Sequence, residues 1–185
     1  GVSCRYPKDI EDTDDFWNFL ENKIDNLDKI PNNRFNINDY YSSNPQALNK
    51  IHTKYGYFLD KVDEFNPKFF GINDNEAKNM DPQQRLLLEN TWRALESSGI
   101  NPEELTGSTT GVFLGISANE YRKYNIYSGN TDLIGLYSGT GSALNIASGR
   151  LSYFFGFEGP NMVIDTACSS GLTSVYLACQ SLQNK

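Results

Sequence analysis

Charge almost vanishes from the C-terminal third of this chain. Between Leu133 and Phe157 the single charged residue is Arg150, and between Asn161 and Asn184 it is Asp165. Gly, Ser and apolar residues fill the remainder. Stretches so poor in charge belong in a core, a large interface or a substrate pocket. Within the second stretch, Asn161-Met162-Val163-Ile164 reads as a strand. Leu172, Val175, Tyr176, Cys179 and Leu182 then recur at the spacing of an amphipathic helix. Cys168 sits where the strand stops and the helix begins. Its neighbours Thr166, Ala167, Ser169, Ser170 and Gly171 are small, which permits a sharp turn and close approach of a ligand.

Two readings of Cys168 follow from that position. The free N–H groups of a helix's first turn favour negative charge, so a thiolate there is stabilised. The same groups can hold the oxyanion formed when a thioester carbonyl is attacked. Against this, a Cys among apolar residues is commonly a small buried hydrophobe. The residues alone leave both open for Cys168. Cys179, on the apolar face of the helix, suits the buried reading, and Cys4 reads as structural.

The rest of the chain fits one α/β domain over residues 1–185, large enough for a substantial core. Hydrophobic residues make up 38% and charged residues 21%, an ordinary globular balance. The net charge of −7 argues against nucleic acid and anionic membrane surfaces as partners. No apolar run reaches transmembrane length and the opening residues lack a secretory leader pattern. The chain opens on Gly1 rather than Met and reads as a piece of something longer. Three cysteines without framework spacing point to a reducing, cytoplasmic compartment. No Cys/His cluster has metal-ligand spacing, so no metal is expected.

Taken in order, Gly1–Pro7 reads as a short strand. Asp14–Leu27 reads as an amphipathic helix that buries Phe16, Trp17, Leu20, Ile24 and Leu27. Pro31–Lys54 reads as a long ordered loop holding His52, the lone histidine, to which no chemistry is assigned. Aromatics cluster from Gly56 to Phe70 and read as packing under a loop. Asp81 is a good N-cap, Pro82 suits the first helical position, and Gln84 completes a capping-box-like pattern. Leu87, Leu88, Trp92 and Leu95 form the buried stripe of that helix, and Gly99 its stop. Arg85 anchors a buried ion pair or a subunit interface. Thr110–Ser117 reads as a buried strand and Tyr121–Thr131 as a loop or short helix. Gly139-Thr140-Gly141-Ser142 lacks the ending of a phosphate loop, so nucleotide binding is rejected.

DTACSSGL (165–172) resembles the active-site signature of β-ketoacyl synthases, specifically the condensing domain of modular type I polyketide synthases. GVSCRYP (1–7), FWNFL (16–20), IPNNRFNINDYY (30–41), MDPQQRLLLENTWRALESSGI (80–100), TGVFLGIS (110–117) and SGRLSYFFGFEGPNMVIDTACSS (148–170) match in the same order. The chain is identified as a member of that family over its whole length. Two departures are small. Gly171 stands where the usual signature has Ser, at a cost of about 0.5–1 kcal/mol against Ala in a helix. Gly71-Ile72-Asn73-Asp74-Asn75 replaces the usual GISPRE and reads as a surface-loop change.

The resemblance implies the thiolase-like layered fold (α/β/α/β/α), with this chain as the N-terminal half. It implies a homodimer whose interface lies beside the nucleophile. Cys168 is then the catalytic nucleophile and its backbone N–H an oxyanion donor, with Thr166, Ala167, Ser169, Thr140 and Gly141 at the substrate pocket or interface. No cofactor is bound directly. A phosphopantetheine arm arrives on a partner acyl carrier protein bearing acyl or malonyl-type thioesters, and linked domains such as an acyltransferase are expected. The implied reaction is decarboxylative Claisen condensation, an acyltransferase activity of the 3-oxoacyl-carrier-protein synthase type. The two enolate-stabilising histidines that the family draws from its second half have no counterpart here. An acyl-transfer-only relative, or a non-catalytic fragment serving dimerisation or scaffolding, is the alternative.

Overall fold

Two short parallel strands carry the larger unit of the chain. The computed structural model describes residues 1–184. It divides into Ser3–Lys61 and a second unit made of Gly1–Val2 with Val62–Lys185.

In Ser3–Lys61, helix α1 (Thr13–Glu21) is capped by Asp12, whose side chain accepts the N–H groups of Asp14 and Asp15. The helix ends earlier than its periodicity predicts, because Lys23 turns left-handed at φ 53°. No α1 residue is buried, and Trp17 is 62% exposed rather than core. The apolar contact made by this helix is modest, Phe16 stacking on Tyr6 at 4.8 Å. Gly1–Pro7 forms no strand. Tyr6 makes a lone bridge to Ile10, too little pairing to extend. Strands β1 (Asp28–Lys29) and β2 (Tyr55–Gly56) pair antiparallel around the predicted loop.

In the second unit the elements run α2 (Asp74–Asn79), α3 (Pro82–Ser97), β3 (Val112–Gly115), α4 (Tyr121–Asn125), α5 (Ser138–Ser142), α6 (Leu144–Phe155), β4 (Asn161–Ile164) and α7 (Ser170–Gln183). β3 and β4 pair in parallel, Val112 opposite Asn161 and Gly115 opposite Ile164. A parallel pair needs a crossover, and α4 to α6 supply it. Phe70, Met80, Leu88, Val112, Leu151, Phe155 and Phe157 form the core beneath the strands. Met80 and Leu88 are fully buried, each contributing about 1.5–3 kcal/mol of apolar transfer free energy. The predicted aromatic cluster packs only in part: Phe65 stacks on Phe70 and Phe69 meets Trp92 of α3 edge to face, against a helix side chain and not under a loop, whereas Tyr57 is 61% exposed in the Ser3–Lys61 unit.

Helix α3 obeys its sequence signals at both ends. Asp81 accepts the Gln83 N–H, and Gly99, at φ 68°, closes the helix with paired bonds from Gly99 to Glu96 and from Ile100 to Leu95. Gln84 does not complete a capping box. The Asp81 N–H is taken by the Gly141 carbonyl, so Gln84 is free to bond the carbonyls of Thr140 and Gly141. Arg85 spends Nε and Nη2 on the Met80 carbonyl at the end of α2. Asn73 is more than a loop substitution: its side chain accepts the Glu76 N–H and caps α2.

The face of α7 is the reverse of the one predicted. Leu172, Val175, Tyr176 and Leu182 are exposed, Leu172 by 81%, and Cys179 is exposed with them. Ser170 and Ser174 are the buried positions. The reason is the closeness of α7 to β3. A Cβ on Gly115 would lie 2.7 Å from the Ser170 carbonyl carbon. At that separation only small side chains fit between helix and strand, so the larger apolar ones turn outward.

Candidate active site

Cys168 stands at the C-terminal end of the parallel pair. β4 stops at Ile164, a 3₁₀ turn runs from Ala167 to Ser169, and α7 starts at Ser170. The thiol is exposed. Thr166, Ala167 and Ser169, its neighbours in sequence, are exposed as well.

The turn is held by side chains rather than by glycine. Ala167 adopts φ 55°, a left-handed conformation that costs an L-residue about 1–3 kcal/mol unless its surroundings enforce it. Three contacts do so. The Asp165 carboxylate accepts the Ala167 N–H at 3.0 Å. The Ser170 hydroxyl donates to the Ala167 carbonyl at 2.7 Å and accepts the Thr166 N–H at 2.9 Å. Ser169 adds a further brace, its hydroxyl donating to the Thr166 carbonyl at 2.8 Å with Thr166 Oγ1 also 2.8 Å from its oxygen. Thr166 Oγ1 in turn lies 3.1 Å from Thr173 Oγ1 on α7. The N–H groups of Thr166, Ala167 and Ser169 are thus committed within the turn. Cys168 is left with an exposed thiol at the head of a 14-residue helix whose N-terminal dipole favours negative charge.

Asp165 and Ser170 are the residues that sequence reasoning did not assign. Asp165 carried a signal, being the single charge in its stretch. Gly115 carried another, since glycine inside a strand marks close backbone approach. Ser170 carried none beyond its small size.

Thr140 and Gly141 lie elsewhere in the unit. Gly141 is buried, with its backbone pressed against the Asn79 carbonyl. Thr140 lines an open cavity of about 410 Å³ with Glu76, Tyr137, Arg150 and Tyr153. Among the described residues, none of the Asp165–Ser170 turn walls that cavity. At its edge Arg150 bonds Glu76 at 2.6 Å and Gln84 at 3.0 Å, which ties α2, α3 and α6 together. Among the described residues no group of His, Cys, Asp and Glu is placed to hold a metal, and no helix is long and apolar enough to cross a membrane.

This geometry has counterparts in known proteins. The model of the β-ketoacyl synthase N-terminal domain matches residues 1–185. A phenolphthiocerol/phthiocerol polyketide synthase of Mycobacterium tuberculosis is 42% identical over 183 residues, covering 99% of this chain and 12% of the relative. A mycocerosic acid synthase-like polyketide synthase of Mycolicibacterium smegmatis is 41% identical over 184 residues, covering 100% of this chain and 9% of the relative. The chain therefore spans about a tenth of the curated relatives it matches. Among solved structures, an oxazolomycin ketosynthase domain from Streptomyces albus JA3453 superposes with a TM-score of 0.90 at 35% identity, over 100% of this chain and 32% of that one. The ketosynthase of module 6 of the bacillaene synthase from Bacillus subtilis 168 gives 0.81 at 34%, over 100% and 29%. The fold is the thiolase-like α/β fold of these ketosynthases, and the chain corresponds to about a third of their length.

Proposed function

We propose that this chain, which belongs to the β-ketoacyl synthase family as its N-terminal domain, supplies the acyl-accepting nucleophile of a polyketide synthase condensing domain. The observation that carries the reading is the exposed thiol of Cys168, presented by a braced turn at the start of α7.

The first half-reaction uses what this chain holds. Cys168 Sγ attacks the carbonyl of an acyl thioester carried on the phosphopantetheine arm of an acyl carrier protein. The Cys168 N–H faces the oxyanion that develops. The carbon–sulfur bond to the arm breaks, its thiol departs with a proton, and the acyl group remains on Cys168. In the second half-reaction a malonyl-type thioester loses CO₂ and its carbanion attacks the acyl-Cys168. The product is a β-ketoacyl thioester and the Cys168 thiol is regenerated. Donors for the enolate of that step come from outside this sequence. Its single histidine, His52, lies in a loop with Nδ1 3.1 Å from the Ser42 carbonyl oxygen. A homodimer, linked synthase domains and a cytoplasmic setting complete the proposal, in keeping with the multidomain polyketide synthases it resembles.

The test is Cys168→Ala in the full-length synthase. Acyl loading, read as the acyl mass on the peptide that bears residue 168 after exposure to an acyl thioester, is present in the native enzyme and absent from the variant, while gel filtration still gives the dimer. A native enzyme whose acyl mass within residues 1–185 sits on a peptide other than that of Cys168 overturns the assignment.

A further inference from the structure

We propose that Ser170, acting with Asp165, is the positioning residue of the condensing site: the two hold Ala167 left-handed and thereby aim Cys168. This rests on the reading of Cys168 as the acylated nucleophile.

The geometry points to a clamp. Ala167 has no conformational preference for φ 55°, so the turn must be imposed from outside the residue. Ser170 does this from both sides of the Thr166–Ala167 pair, accepting one N–H and donating to the next carbonyl. Its hydroxyl is therefore fully used, as its burial requires: Ser170 is 5% exposed. It cannot swing away, because its backbone lies directly against Gly115 of β3. Asp165 acts from the other end through the Ala167 N–H, and it is itself anchored by the Ile164–Gly115 pairing that precedes it. Released from these contacts, Ala167 relaxes to negative φ. The peptide before Cys168 then rotates, and with it both the thiol and the N–H that faces the oxyanion.

The full-length synthase tests this through the rate at which an acyl N-acetylcysteamine thioester loads Cys168, followed by peptide mass across pH. Ser170→Ala and Asp165→Ala each slow loading about ten- to a hundredfold, the factor expected from losing one enforced strained conformer. Asp165→Asn keeps an acceptor oxygen for Ala167 and stays within about threefold of the native rate. The decisive variant is Ala167→Gly placed in the Ser170→Ala background. Glycine occupies positive φ freely, so it restores loading to within about threefold of the native enzyme. A Ser170 that merely filled space would leave Ser170→Ala defective with or without that glycine, and this result overturns the clamp. So does a Ser170→Ala enzyme that loads at the native rate. If Ser170→Ala does not fold, the exposed Asp165→Ala and Asp165→Asn pair, with and without Ala167→Gly, gives the same decision. Iodoacetamide alkylation of Cys168 needs no acyl substrate and follows the same order of variants. A native enzyme that alkylates but never loads overturns the nucleophile reading, while the order of alkylation rates still decides the clamp.

Discussion

Gly115 on β3 and Ser170 on α7 share a space that admits no side chain between them: a Cβ added to Gly115 falls 2.7 Å from the Ser170 carbonyl carbon and 2.8 Å from the Gly171 nitrogen. Both obstacles are backbone, so neither can give way by a rotamer change. Gly115→Ala must push the head of α7 off the strand. The expected cost is about 1–3 kcal/mol of stability, the range for overpacking in a close-packed interior. Urea denaturation measures the loss. Because the displaced residues are those that brace Cys168, alkylation of the thiol changes in the same variant, whereas Gly171→Ala, whose Cβ would meet nothing within 4 Å, leaves it alone.

A second expectation concerns ion pairs of unequal worth. Arg150 and Glu76 are 2.6 Å apart with side chains 12% and 20% exposed, and Arg150 also serves Gln84. Removing one partner leaves a charge with little water to compensate it. Arg150→Met costs about 3 kcal/mol. Lys8 and Asp28, 3.7 Å apart and more than half in solvent on average, form the contrasting case. Lys8→Met costs about 0–1 kcal/mol and loses even that at high salt. Equal effects of the two substitutions in urea titrations would contradict this account.

The three cysteines should label in a defined order. Burial first, and the carboxylates of Asp12 and Asp15 behind it, push the Cys4 thiol above the ordinary cysteine value. A raised value means a smaller thiolate fraction at any given pH. At about pH 8.5, where an ordinary cysteine is half ionised, Cys4 is therefore mostly protonated and reacts slowest with iodoacetamide. Its rate continues to climb at higher pH. Cys168, in an exposed turn of small residues, reacts ahead of Cys179, which sits along a helix face between Tyr176 and Leu182. Peptide mapping over a pH series measures all three. Cys179 labelling before Cys168 would displace the reactive thiol from its assigned place.

Much of this arrangement was legible from residue order, and the exceptions share a physical cause. The ends of α3 were readable because caps are local: Asp81 and Gly99 act within one turn of chain. The strand–turn–helix around Cys168 was readable because its apolar run, small residues and helical spacing follow one another directly. The buried face of α7 was not. Spacing identifies an apolar stripe but not which surface presses against a strand, and here the backbone of Ser170 and Gly171 lies directly against Gly115 while Ser170 and Ser174 are the buried positions. Nor was the conformation of Ala167, since glycine announces positive φ and alanine does not. Gln84 looked like a cap because its local partner is close in sequence, yet a carbonyl 57 positions away holds its amide. Trp17 looked like core because its helix is amphipathic, but the Ser3–Lys61 unit offers that face little to pack against.

The outward stripe of α7 has a consequence for handling and biogenesis. Leu172, Val175, Tyr176 and Leu182 run along one side of a helix that is otherwise firmly seated. A polypeptide that has reached this point in synthesis carries a greasy seam with its own scaffold already set behind it. Such a seam invites self-association in proportion to concentration and favours capture by a holdase. Yield of this segment from cells is then a question of timing, decided by how soon something covers four side chains and not by how stable the rest has become.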